Sequence, residues 1–336
     1  MKLDARLRNG MEFAASDARQ AEELGFEGAW SNENSSDAFL PLGLAAAATR
    51  RIELGPSVAI AFSRSPMTVA YLAHDLQRFS EGRFVLGLCS QIKPHIEKRF
   101  SMPWSSPAAR MREFVLAMRH IWSCWNEGTK LEFRGDFYKH TLMSPFFNPG
   151  TNPYGPPKVM LAGVGELMTE VAGETCDGFL AHSFTTERYL TEITLPALER
   201  GMAKSGRARA DFQISMPVFV VTGRDDREIE AAKAGTKQQI AFYGSTPAYR
   251  GVLELHGWGD LQTELNAMSK QGKWVEMGQA LDDEVLEVFA VVAEPDKIAA
   301  VLLDRFGKKV DRLSFYAPYA VESGLLEGVL GQLKSA

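Results

Sequence analysis

Short apolar runs alternate with longer amphipathic stretches along most of the chain, which predicts strands separated by helices. Residues 12–24 carry apolar side chains at helical spacing and stop at Gly25, suited to the left-handed end of a helix. Phe26 to Trp30 reads as a strand that runs into the polar cluster Ser31-Asn32-Glu33-Asn34-Ser35-Ser36. Asp37 is placed to cap a helix through Leu40 and Leu44. Ile52 to Ala61 is a further strand, and Ser65-Pro66 opens the next helix, because proline is tolerated in a first helical turn.

The rhythm continues through apolar runs at Arg83 to Leu88, Lys158 to Ala162, Gly178 to Ala181, Ile214 to Val221 and Arg312 to Tyr316. A long helix is predicted from Pro107 to Trp125, with Met111, Phe114, Val115, Met118, Ile121 and Trp122 on one face. Strands apolar on both faces and separated by helices imply a parallel sheet covered by helices. About eight such units in one chain favour a closed (β/α)₈ TIM barrel over an open sheet. Residues 1–336 then form a single domain, with insertions at about 131–157 and 242–281, after strands 4 and 7. The first insertion holds a possible hairpin and a proline-rich run. The second is rich in Gly, Trp and Tyr. Their aromatic residues, Phe146, Phe147, Tyr154, Tyr243, Tyr249 and Trp258, are candidates for pocket walls.

Composition narrows the function classes. A 45% hydrophobic chain with net charge −5 has material for a large core and no Lys/Arg run, which argues against nucleic-acid or anionic-membrane partners. Three scattered cysteines form neither a CxxC pair nor a Cys/His cluster, so neither a metal site nor a disulfide frame is expected. No secretory leader or membrane-length apolar run is visible, and the expected compartment is the cytoplasm.

Gly163-Val164-Gly165 follows a strand and precedes a helix, without the third glycine of a dinucleotide fingerprint. Backbone N–H groups there suit a phosphate, and a plain tight turn explains the residues as well. His95 lies just past the fourth strand, where a barrel rim would suit general acid/base work, although an exposed structural position is equally open. His182 ends the sixth strand and Arg64 precedes Pro66; for Arg64, an ion pair between loops competes with anion binding. Cys89 reads as a small pocket-wall residue rather than a reactive thiol.

Several ordered runs resemble the luciferase-like monooxygenases and their coenzyme F-420-dependent relatives. They are Ala21-Glu22-Glu23-Leu24-Gly25-Phe26-Glu27-Gly28-Ala29-Trp30, Arg50-Arg51-Ile52-Glu53-Leu54-Gly55, Ser80-Glu81-Gly82-Arg83-Phe84-Val85-Leu86-Gly87-Leu88 and Pro157-Lys158-Val159-Met160-Leu161-Ala162-Gly163. Phe39-Leu40-Pro41-Leu42 and Ala108-Ala109-Arg110-Met111 are most similar to the actinobacterial subgroup. The resemblance implies a bacterial-luciferase-type barrel and hydride transfer between coenzyme F-420 (8-hydroxy-5-deazaflavin) and a small organic substrate. Its alternatives are an FMN-dependent monooxygenase fed by a partner reductase and a non-catalytic flavin-binding relative. A homodimer is implied by the same likeness.

Carried over residue by residue, Glu33 faces the coenzyme ring; His95, by its place past the fourth strand and not by the resemblance, is the candidate catalytic acid/base beside it. Ser57-Val58 is the position of a non-prolyl cis peptide behind the ring. Ser90, Ala162, Gly163, Val164 and Gly165 complete the coenzyme contacts, while Asn34, Arg64, Gln91 and His182 are the candidates for the substrate pocket, Arg64 and His182 by their positions alone. Two departures stand out. Asn34, Ser35 and Ser36 occupy positions where many relatives carry a histidine, leaving the proton donor unidentified, and Cys89 replaces a usual glycine.

Overall fold

A computed structural model of the chain describes residues 1–321 and 324–335. Eight parallel strands follow one another around a barrel: β1 (Lys2–Arg6), β2 (Gly28–Ser31), β3 (Glu53–Pro56), β4 (Val85–Cys89), β5 (Lys158–Gly163), β6 (Gly178–Ala181), β7 (Gln213–Val221) and β8 (Arg312–Tyr316). β3 resumes after a two-residue break as Ala59–Ile60, which pairs with the end of β4. Leu54 N–H donates to Arg83 O at 3.0 Å, closing the ring between β3 and β4, while β8 pairs with both β7 and β1. A short strand, Ala290–Val292, extends the end of β7. The TIM-barrel expectation is therefore met, and the opening segment, left without a strand by sequence pattern, is β1.

Local signals in the sequence do their expected jobs. Gly25 ends the helix Met11–Leu24 at φ 82°, Ser65 Oγ accepts from Thr68 N–H at 3.2 Å, and Asp37 accepts from Phe39 and Leu40 N–H. The main core lies between the barrel and its helices, around buried residues such as Leu86, Phe114, Met118, Ile121 and Phe179. A separate cluster of Trp30, Val85, Met160 and Leu180 fills part of the barrel interior, with Val58 and Ala162 packed on it.

Alternate residues of a strand face the same way, so Asp4 and Arg6 on β1, and Arg312, Ser314 and Tyr316 on β8, share faces. Arg312 is fully buried and donates to both Asp4 oxygens, Nε at 2.8 Å and Nη2 at 2.6 Å, and to Glu53, which Lys2 also engages at 2.8 Å. A Cβ on Gly28 would lie 2.4 Å from both Arg312 and Asp4, so this charge plug requires glycine there. The plug occupies the N-terminal mouth.

Residues 131–157 connect the helix Pro107–Glu127 to the start of β5, and so lie at this same N-terminal end. Phe146, Phe147 and Tyr154 are exposed there, which removes them from the expected pocket walls. The segment after β7 forms helices, including Asp226–Gly244, Arg250–Glu254 and Gly259–Lys270, over the other mouth.

Candidate active site

A cavity of ≈ 240 Å³ opens at the C-terminal mouth, lined by Arg6, Asn32, Glu33, Ser57, Val58, Gln91, Ala162, His182, Tyr243 and Tyr316, among others. A water-sized void of ≈ 20 Å³ lined by Arg6, Trp30, Ser57, Ser215 and Ser314 shares several of these residues. The C-terminal mouth is where barrel enzymes assemble their sites.

The peptide Ser57-Val58 is cis and lines the cavity, as the resemblance implied. It sits in the break of β3, and the two flanking halves are tied down separately: Ser57 N–H donates to Ser31 O at 2.8 Å and Ile60 N–H to Glu33 Oε2 at 2.7 Å. Glu33 also takes Arg64 Nη1 at 2.8 Å, and Arg64 Nη2 reaches Asp37 at 3.0 Å. Arg64 further donates to Ile60 O and Ser63 Oγ, both at 3.1 Å. Its guanidinium is thus spent on holding loops together, and it is absent from the cavity lining. The pocket role expected for Arg64 gives way to the ion-pair reading. Glu33 keeps its place on the cavity, with one oxygen engaged by the frame.

His95 does not reach the site. Its side chain is exposed on the helical turn His95–Arg99, outside the cavity lining. Arg99 from the same turn contacts the rim instead, donating to Asn34 O at 2.7 Å. His182 is in the cavity wall. Its Nδ1 accepts from Phe184 N–H at 2.9 Å, so a neutral ring carries its proton on Nε2. Burial, with a smaller push from the Arg6 charge, holds its pKa down to about 4. Tyr243 and Tyr249 pack on the ring at centroid distances of 4.7 and 4.8 Å. The Tyr243 and Tyr316 hydroxyls are 3.2 Å apart, and burial raises the Tyr316 pKa, with Tyr243 adding to the rise.

The other expected contacts divide. Gln91 and Ala162 line the cavity, as does Asn34, whereas the Ser90 hydroxyl turns to Gln91 O at 3.0 Å. Gly163, Val164 and Gly165 lie beyond Ala162, outside the lining, and lead into the helix Glu166–Thr175. A Cβ on Gly165 would meet nothing within 4 Å, so the space in front of that turn is open. Cys89 is a cavity-wall thiol whose pKa burial pushes up to about 12, in keeping with a non-nucleophilic role. Sequence reasoning missed Arg6, whose guanidinium lies on the cavity 5.1 Å from the Tyr316 ring centroid. With β1 unrecognised as a strand, the parity that puts Arg6 on the face of the inward Asp4 could not be read.

The residues fit a flavin or deazaflavin. Ser57, Val58, Ala162 and Ala181 are small enough to leave room for a flat ring, and Asn32, Asn34 and Gln91 offer hydrogen bonds to its polar edge. Fold and cavity together define a (β/α)₈ barrel with a cavity open at its C-terminal mouth. The chain belongs to the luciferase-like monooxygenase family, whose sequence model matches residues 6–312. It is 55% identical over 313 residues to an uncharacterised protein of Mycobacterium tuberculosis, covering 93% of this chain and 92% of that one. It is 28% identical to the 5,10-methylenetetrahydromethanopterin reductase of Archaeoglobus fulgidus, over 83% of this chain and 81% of the relative. The coenzyme F-420-dependent tetrahydromethanopterin reductase of Methanopyrus kandleri has the same fold, with a TM-score of 0.81 at 19% identity over 100% of this chain and 98% of that one. EDTA monooxygenase of a Chelativorans species shares it at 0.69 and 16%, over 100% of this chain and 94% of that one.

Proposed function

We propose that this chain is an oxidoreductase that transfers a hydride between coenzyme F-420 and a small organic substrate. The observation that carries the reading is the make-up of the cavity: small side chains and the Ser57-Val58 peptide beside neutral hydrogen-bonding groups. The likeness in sequence, at 28% identity, to a Mycobacterium tuberculosis protein provisionally named a coenzyme F-420-dependent oxidoreductase supports deazaflavin over FMN. When bound, the deazaflavin supplies hydride chemistry at a ring carbon and reacts poorly with oxygen.

The protein's own groups have separable tasks. Glu33 is a positioning residue, holding the segment after the cis peptide through Ile60 N–H. His182, neutral at physiological pH with Nδ1 occupied, presents Nε2–H as a donor to a substrate oxygen, the part first assigned to His95. The open turn at Gly165 is the place for a coenzyme phosphate.

Fluorescence-quenching titrations with F-420 and with FMN, run separately on the purified chain, test the reading. Tight F-420 binding is expected. Submicromolar FMN binding without F-420 binding overturns it in favour of a monooxygenase, which NADH-driven oxygen consumption would then support.

A further inference from the structure

We propose that Arg6 is the anchor for a carboxylate on the organic substrate, so that the substrate class is a small organic acid. The inference rests on reading the cavity as a coenzyme and substrate site.

Arg6 differs from the other arginines near the barrel axis. Arg312 and Arg64 each engage two carboxylates. Arg6 has no carboxylate partner among the described residues. Its one side-chain hydrogen bond goes from Nη2 to the neutral Asn32 Oδ1, at 3.3 Å, and its face lies over Tyr316. A guanidinium offers five donors in a planar fork, so most of this one is unspent. It stands on the last residue of a barrel strand, exposed at the cavity with its face on an aromatic ring, so its free donors are hydrated and within reach of a planar two-oxygen anion.

Its surroundings do not cancel the charge. His182 and Tyr316, which share the cavity lining with Arg6, are neutral near pH 7, since burial holds the first pKa down and the second up. Glu33 is the acid on the lining, and its Oε2 is bound to Arg64 and Ile60. Around an eight-stranded ring β1 and β5 stand opposite each other. An anion on Arg6 therefore lies across the barrel from the Gly163–Gly165 turn, where the coenzyme phosphate is placed, and is assigned to the substrate.

Benzoate and its neutral isostere benzamide are the probes, titrated calorimetrically into the full-length chain with and without F-420. Benzoate is expected to bind and benzamide to bind about tenfold more weakly or not at all. Arg6→Gln should cost benzoate about tenfold or more, Arg6→Lys should restore part of it, and F-420 quenching should be little changed in both. Equal binding of the two probes, failure of the wild type to bind benzoate, or unchanged benzoate affinity in Arg6→Gln overturns the proposal. So does a loss of F-420 affinity in Arg6→Gln with benzoate competing for the coenzyme, which would assign the anion to the coenzyme's acidic tail. Failure of F-420 to bind any form of the protein sinks the coenzyme reading instead, while the benzoate arm without coenzyme still reads on Arg6.

Discussion

Replacing Arg64 with Met keeps most of the aliphatic bulk and removes the charge that ties three loop segments together. The Glu33 side chain is 7% exposed and pairs with Arg64 at 2.8 Å, so the partner it loses cannot be fully replaced by water. At an effective dielectric of ~20, a pair at that separation is worth about 6 kcal/mol before desolvation is counted. Breaking buried pairs costs about 3–5 kcal/mol in practice, and partial solvent access puts this one near ~3 kcal/mol. The Asp37 arm, with Asp37 38% exposed, adds no more than about 1 kcal/mol. Urea denaturation at neutral pH should show that loss. Glu33→Gln should cost only about 1–2 kcal/mol, because a side-chain carbonyl still accepts from Ile60 N–H and Asp37 still serves Arg64. The double variant should then be about 1 kcal/mol or more better than the sum of the two. Hydrogen exchange adds a local reading: the Ile60 amide should lose protection in Arg64→Met while amides within β6 keep theirs. A cost below about 1 kcal/mol with additive singles would refute the clamp and return Arg64 to the surface.

Three further outcomes follow from the same reasoning. Arg312→Met should destabilise by about 3–5 kcal/mol, by leaving Asp4 buried without its cation, and Asp4→Leu in the same chain should recover part of the loss in a urea titration. His182 takes up a proton near pH 6.5 unfolded and only near about 4 folded, so its contribution is fully present above 6.5 and lost as pH falls towards 4. The loss is up to about 3 kcal/mol, and the pH dependence of stability should flatten over that window in His182→Asn. Gly165→Ala should leave stability within about 0.5 kcal/mol, since its Cβ meets open space, yet weaken F-420 in the quenching titration; Gly87→Ala, whose Cβ would lie 2.1 Å from Pro56 O, should instead fail to accumulate folded protein.

The architecture was legible because seven of the eight strands are apolar enough on both faces to stand out from the helices. β1 was not, since Asp4 and Arg6 interrupt its apolar run, and an inward-facing charge looks in sequence like a surface one. Element order would have corrected the first insertion: a segment that leaves a helix and enters a strand lies at the N-terminal mouth, whatever its aromatic content. The choice between His95 and His182 was of a different kind. His95 follows a strand by several residues, and nothing in its neighbours fixes which way it points. His182 directly follows β6 and shares parity with the inward Leu180, so the strand itself aims it. The Glu33–Arg64–Asp37 clamp was out of reach, because it joins side chains whose separation depends on how three loops fold back.

Strand β1 supplies charge to both mouths of the barrel, and the difference between its Asp4 and its Arg6 is a difference of pairing. At the N-terminal mouth Arg312 meets Asp4 and Glu53, the groups around it leave no room for a Cβ on Gly28, and the charges cancel. One inward position further along β1, Arg6 reaches the C-terminal mouth with only an amide oxygen and a ring for company. Arg6 is exposed, so water serves the donors that the protein leaves unspent, and folding draws little from its charge. The division follows the barrel plan: a paired plug at the mouth that carries stability and, beside the Glu33–Arg64–Asp37 clamp, an arginine without a carboxylate partner at the mouth where barrels assemble their sites. It makes Arg6 the residue whose replacement separates the two: folding should be nearly indifferent to it, and ligand choice should not.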